Sequence, residues 1–167
     1  MNAVAAFFAQ PCRRYRNFQI VFTILTLNFT LPALSYTFAP EVAIGQFLSI
    51  NALLGGTAYP VPEAASHVWR YLGAANVMTL GLCCLLLQLN LRRFYPVLLP
   101  LTFMKGYAAA CWLVGWILHP GYRFFLAAAV LDFVTCFAFV WFAGRAKVEI
   151  DGRPEARLVP RLLGERR

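Results

Sequence analysis

Residues 122–142 read YRFFLAAAVLDFVTCFAFVWF, an apolar run with a single carboxylate, Asp132, near its middle. A helix needs about 20 mostly apolar residues to cross a bilayer, and this run has that length. Three earlier runs share its length and composition, at about residues 17–38, 69–89 and 96–118. The four runs predict an all-α membrane protein, a four-transmembrane-helix bundle that occupies residues 17–143.

The composition excludes an ordinary soluble domain. Hydrophobic residues make up 60% of the 167 residues, and the mean hydropathy is +0.63. Charged residues make up 13%, about half the usual fraction of a soluble protein. A water-soluble fold of this size could not bury so much apolar surface, whereas a lipid solvent does not require it to.

The positive charges are concentrated on one side of the predicted bundle. Three lie in the N-terminal arm (residues 1–16), two in the loop between the second and third spans, and seven in the tail (residues 144–167), which we expect to be partly disordered. The opposite side has only Arg70 and Arg123. An even number of spans with this bias predicts a multi-pass membrane protein with both termini in the cytoplasm. Topology and anionic headgroups explain the charge, so nucleic acid is not an expected partner.

The loop between the first two spans contains a shorter apolar segment, EVAIGQFLSINALL, at residues 41–54. It is too short to cross a bilayer, so we predict an interfacial or re-entrant helix in this first external loop. Gly55-Gly56 is expected to end that helix, and Pro62-Glu63 to begin the next one.

One polar residue in each span lies at about the same depth. At about 1.5 Å per residue, Lys105 lies roughly 14 Å from the basic side, and Asn28, Thr79 and Asp132 lie roughly 16 Å from it. An isolated charge at this depth costs about 3 kcal/mol or more, which pairing would offset. Because the turn at His119-Pro120-Gly121 is short, we expect Lys105 and Asp132 to face each other, with Asn28 and Thr79 beside them.

Three interpretations of this polar layer stay open. It is a structural ion pair that fixes helix register, or a binding site for a ligand, ion or proton formed by Asn28, Thr79, Lys105 and Asp132. In the third interpretation, a charge meets a partner protein or extends to the membrane surface. Thr79 also belongs to a set of small residues, Ala75, Thr79 and Cys83, whose four-residue spacing predicts a face for close helix packing.

The sequence contains no catalytic motif that we can identify, so we favour a non-enzymatic role. The five cysteines have neither the spacing of a zinc site nor the pattern of a disulfide framework. His67 and His119 lie at the external ends of spans and could meet Glu41 and Glu63, but solvated loop histidines are the default interpretation. We therefore predict no metal and no cofactor, with a quinone or a lipid as the candidate bound molecule.

A short pattern resembles a known group of proteins. Ala39-Pro40-Glu41, an apolar helix, a proline-containing turn and then Arg70-Tyr71-Leu72-Gly73 resemble small four-helix bacterial membrane proteins of the DoxX-like kind. The resemblance covers about residues 15–145 and implies a small four-helix inner-membrane protein. Some members of that group are linked to thiosulfate–quinone oxidoreductase complexes. No functional residue of the group maps onto this chain.

Two functions are consistent with these observations. The first is an accessory or interaction subunit of a membrane assembly, whose partners are the lipid bilayer and either other membrane subunits or further copies of the chain. The alternative is a binder of a small hydrophobic ligand, a quinone or a lipid, held in the bundle and serving a redox complex.

Overall fold

The structure, a computed structural model, describes residues 12–58 and 63–152, with the side chains of 63–68 excepted. Most of the predicted N-terminal arm and the end of the predicted tail lie outside these residues. The described chain contains helices and no strand. The helices are α1 (Arg13–Phe38), α2 (Pro40–Leu53), α3 (Glu63–Leu89), α4 (Leu91–Phe94), α5 (Leu98–Leu118) and α6 (Arg123–Asp151), with a 3-10 turn at Tyr95–Val97.

Four segments of the described chain are long and apolar enough to cross a membrane, as the sequence predicts. They are Arg13–Phe38, Trp69–Leu89, Leu91–Leu118 and Arg123–Asp151. Large apolar side chains cover their outward faces, and Leu99 and Phe133, for example, are 77% and 72% exposed. Soluble monomers rarely expose continuous apolar surface on this scale. A shorter helix, Pro40–Leu53, is present where the sequence predicts one.

The last helix continues beyond the predicted end of the fourth span. The sequence analysis ends that span at residue 142, but the helix runs to Asp151. Ala143, Ala146 and Ile150 are fully buried against the rest of the bundle. Tertiary packing of this kind outweighs the low helix propensity of a single glycine. The first part of the tail is therefore helical, where partial disorder is expected from composition alone.

The bundle is built from two helix pairs, α1 with α3 and α5 with α6, and contacts between α1 and α6 join the two pairs. α1 packs on α3, α5 packs on α6, and α1 also packs on α6, whereas α3 and α5 touch only slightly. Aromatic rings occupy the junction: the ring centroids of Phe18 and Phe22 are 4.4 Å apart, and those of Phe22 and Phe139 are 5.8 Å apart. We call the end that holds the start of α1, all of α4 and the end of α6 the basic end, and the opposite end the turn end.

Asn51 fastens α2 to the turn end of α6. Its Nδ2 donates to the Thr57 carbonyl at 2.6 Å, and its Oδ1 accepts from the Phe124 N–H at 3.1 Å. The first N–H groups of a helix have no partner within the helix, so this amide caps α6 from a different helix. The Thr57 N–H donates in turn to the Gly121 carbonyl at 2.8 Å. The buried Asn51 thus determines where α2 lies against the bundle.

α1 and α3 approach each other closely at Gly81. A Cβ atom at Gly81 would lie 2.8 Å from Thr30 Oγ1 and 3.6 Å from Phe29 Cβ. The packing face of α3 therefore differs from the predicted one, because Ala75 and Thr79 are exposed. The buried face lies on a different side of the helix and contains Leu80, Gly81, Cys84 and Leu87. The four-residue spacing identified a stripe of small residues on α3. The close contact with α1 is instead formed by one glycine, Gly81, on a face that also carries Leu80 and Leu87.

We predict that Gly81→Val destabilises the protein, whereas Gly73→Val does not. The new side chain at Gly81 would overlap α1, and overpacking of this kind costs about 1–3 kcal/mol. A Cβ at Gly73 meets no atom within 4 Å, which makes it a matched control on the same helix. Equilibrium unfolding in detergent micelles measures the difference, and equal stability of the two variants would contradict the close approach.

Candidate functional site

The α5–α6 hairpin brings the two charged residues of the spans together. The Lys105 ammonium donates to Asp132 Oδ1, and the two side chains are only 14% and 9% exposed. α5 ends at Leu118 and α6 begins at Arg123, so the two helices run antiparallel, and Lys105 in the middle of α5 lies beside Asp132 on α6. The predicted pairing of Lys105 with Asp132 is confirmed.

Small residues and one aromatic ring surround this pair. Ala109 on α5 and Ala129 on α6 are both buried, and a Cβ at Gly106 would lie 3.7 Å from Cys136 Sγ. Residues this small let the two helices approach closely enough for the charges to touch. The Lys105 ammonium also lies 5.0 Å from the centre of the Phe29 ring, a cation–π contact that reaches across to α1.

The electrostatics of the pair favour a structural role. A buried ion pair gains little net stability over apolar residues, but removal of one partner leaves a buried charge without compensation. The contact between Lys105 and Asp132 joins α5 to α6, which is consistent with a structural pair. One nearby group is left over: the buried Thr102 Oγ1 has no hydrogen-bond partner among the described residues, although the Thr102 carbonyl accepts from Cys136 Sγ at 3.2 Å.

The structure does not bring Asn28 and Thr79 to the ion pair. Both side chains are exposed on the outer surface of the bundle. The Thr79 hydroxyl donates to the Ala75 carbonyl of its own helix at 2.8 Å. Depth along a helix determines height but not direction, and each step of one residue turns the side chain by about 100°. Phe29 faces the core at the pair, so its neighbour Asn28 points elsewhere.

A second buried polar group, centred on Gln88, was missed by the sequence analysis. Gln88 Nε2 donates to Thr26 Oγ1 at 2.6 Å and to the Phe22 carbonyl at 3.1 Å, and its Oε1 accepts from the Thr23 hydroxyl at 2.7 Å. Gln19, which is fully buried, donates to the Gln88 carbonyl at 3.1 Å. These bonds fix the register of α1 on α3.

The signal for this group was present in the sequence. Gln19 and Gln88 stand near the basic ends of two predicted spans, where a polar residue looks like an ordinary boundary residue. Thr23 follows Gln19 by four residues and Thr26 follows Thr23 by three, so the three side chains share one face of α1. An amide together with threonines on one face indicates a polar helix contact.

The metal interpretation finds no support in the described residues, where no three of His, Cys, Asp and Glu side chains converge. His119 is exposed and lies beside Tyr122, with ring centroids 5.7 Å apart. The side chains of His67 and Glu63 lie outside the described part of the chain.

The chain was compared with protein-family models, with curated proteins and with solved structures, and none of the three comparisons gave a match. The resemblance to DoxX-like proteins therefore stays a prediction.

We predict that Lys105→Met and Asp132→Leu each lower the free energy of unfolding by about 3–5 kcal/mol, because each leaves a buried charge without its partner. The double variant should be more stable than either single variant, since neither charge is then left over. A double-mutant cycle on unfolding in mixed micelles measures this coupling. Thr79→Val, at an exposed position of similar depth, is the control. Additive losses would show that the two charges do not depend on each other.

Proposed function

We propose that this chain is a non-enzymatic accessory or interaction subunit of a membrane assembly. In this proposal it is a multi-pass protein of the inner (plasma) membrane, with both termini in the cytoplasm. The four apolar segments support the membrane location. The bias of Lys and Arg toward the basic end supports the orientation. The exposed α2 helix beside the turn end would then lie at the external interface.

The observation that carries the proposal is the exposed amide of Asn28. It lies in the middle of α1, between Ile24 and Leu31, which are each 60% exposed. In lipid an amide without a hydrogen-bond partner is costly. Every other exposed side chain nearby on this face of α1 is apolar. Contact with lipid would account for the exposure of these side chains but not for that of the Asn28 amide. A polar group from a neighbouring helix would satisfy the amide.

The outer surface of α3 supports the same conclusion. Ala75, Asn76 and Thr79 are exposed on a helix whose buried face is elsewhere. Small and polar side chains are typical of helix–helix interfaces in membranes, because they allow close approach and interhelical hydrogen bonds. The described residues leave this surface uncovered, as expected of a subunit that contacts another protein.

We predict that Asn28→Leu weakens association without weakening the fold. The substitution removes the amide that a partner helix would bond, and it replaces an exposed side chain that the core does not need. Native mass spectrometry after extraction in a mild detergent, and unfolding of the same samples, measure the two effects. Gln46→Leu removes an exposed amide from α2 instead, and should leave association unchanged. A monomer without partners for the unmodified chain would contradict the proposal.

One observation favours the alternative, a bound quinone or lipid. The unpartnered Thr102 hydroxyl lies one turn of α5 from Lys105, beside an ion pair that keeps some exposure. A carbonyl or hydroxyl of a hydrophobic ligand could bond it there.

If this alternative is correct, a specific lipid or quinone should co-purify with the unmodified protein and be lost from Thr102→Val. Extraction into organic solvent followed by mass spectrometry measures it. Asp132→Asn separates the two roles of the pair: loss of the molecule from a folded variant indicates binding, and loss of stability alone indicates structure. The absence of a specific molecule from the unmodified protein would contradict the alternative.

A further inference from the structure

The basic end is fastened together from three separate parts of the chain. The N–H of Arg14, at the start of α1, donates to Glu149 Oε2 at 2.9 Å. The Arg92 guanidinium, on α4, donates to the Ile150 carbonyl at the end of α6, and its Nε lies 3.6 Å from Asp151 Oδ1. The starts and ends of these helices are therefore held against each other, and the charged groups they carry share one surface.

These contacts occupy both carboxylates of the described basic end. Glu149 accepts from the start of α1, and Asp151 contacts Arg92 and Lys147. Five arginine side chains are exposed there, and no described carboxylate pairs with them. They are Arg13, Arg14, Arg16, Arg93 and Arg145. We call these five side chains the arginine surface.

Aromatic rings hold two of these guanidinium groups at the border of the apolar surface. Arg145 Cζ lies 3.9 Å from the centre of the Trp141 ring, and Arg93 Cζ lies 5.5 Å from that of Phe94. Trp141 is itself 41% exposed, one turn further into the apolar part of α6. Tryptophan is enriched where hydrocarbon gives way to headgroups. The guanidinium groups are thus placed at the level where lipid phosphates lie.

We propose that the arginine surface binds the phosphate of anionic phospholipids. A guanidinium offers two parallel N–H donors to phosphate oxygens, and several of them on one surface exceed what a single zwitterionic headgroup requires. Clusters of Lys and Arg directly beside a membrane span are typical of sites for anionic lipids. The acyl chains would lie along the apolar outer faces of α5 and α6. The inference depends on membrane insertion but not on any protein partner, so it can fail while the proposed function stands.

Native mass spectrometry in mild detergent, with equal amounts of phosphatidylglycerol and phosphatidylcholine, tests the proposal. The unmodified protein should retain phosphatidylglycerol in preference. Each of Arg16→Gln, Arg93→Gln and Arg145→Gln should lower that preference on the order of fivefold, and the triple variant, which keeps Arg13 and Arg14, should lower it further than any single variant. Added NaCl should weaken the preference, because salt screens exposed charges.

Arg70→Gln is the matched control, because it removes one cation near the turn end and should leave the preference unchanged. Circular dichroism establishes that each variant is folded, and the single variants suffice if the triple variant is not. A third sample with inorganic phosphate alone separates a free anion from a headgroup. The proposal is overturned by equal retention of the two lipids, by a triple variant that keeps the full preference, or by retention of phosphate without a lipid preference.

Discussion

A polar group buried in this bundle costs free energy unless it finds a partner, and that requirement restricts how the helices are arranged. Most of the described groups meet it, although Thr102 Oγ1 and Gln19 Oε1 have no partner among the described residues. Lys105 meets that requirement with Asp132, and Gln88 meets it with threonines and carbonyls of α1. Apolar contacts between helices have little directional preference, whereas these hydrogen bonds form only when the two helices are correctly aligned along their axes.

Each helix pair has one device of this kind. The Gln88 bonds set α1 on α3, the ion pair sets α5 on α6, and the Asn51 amide sets α2 on the start of α6. The contact of the Lys105 ammonium with the Phe29 ring connects the α5–α6 pair to α1 of the other pair. Aromatic packing of Phe22 on Phe139 fills the junction between the halves. Polar contacts therefore specify the arrangement, and apolar packing supplies the bulk of the contact area.

The sequence predicted the parts of this structure that depend on length and on opposite charge. Membrane-length runs indicate helices, because only a helix pairs all backbone groups within one apolar segment. Two opposite charges at similar depth, in two spans joined by a short turn, indicate a pair, because neither charge is stable alone in the middle of a membrane span. The direction in which a side chain points was predicted less well, as Asn28 and Thr79 show, because it depends on which helix face packs. On α3 the face that packs on α1 is the one that carries Gly81. Gly81 matters because Thr30 lies against it, and Thr30 is on α1, so the sequence of α3 alone does not reveal this contact.

Asn28 and Gln88 carry the same functional group, and their contrast explains why a partner is proposed for this chain. Gln88 is 2% exposed and uses its amide fully, as a buried amide must. Asn28 stands at mid-length of an apolar helix with its amide turned outward, among exposed side chains that lipid would solvate. The rule that pairs Gln88 applies equally to Asn28 once the helix lies in a bilayer. The described residues do not supply that pairing, which is why we propose a second membrane-embedded molecule as its source.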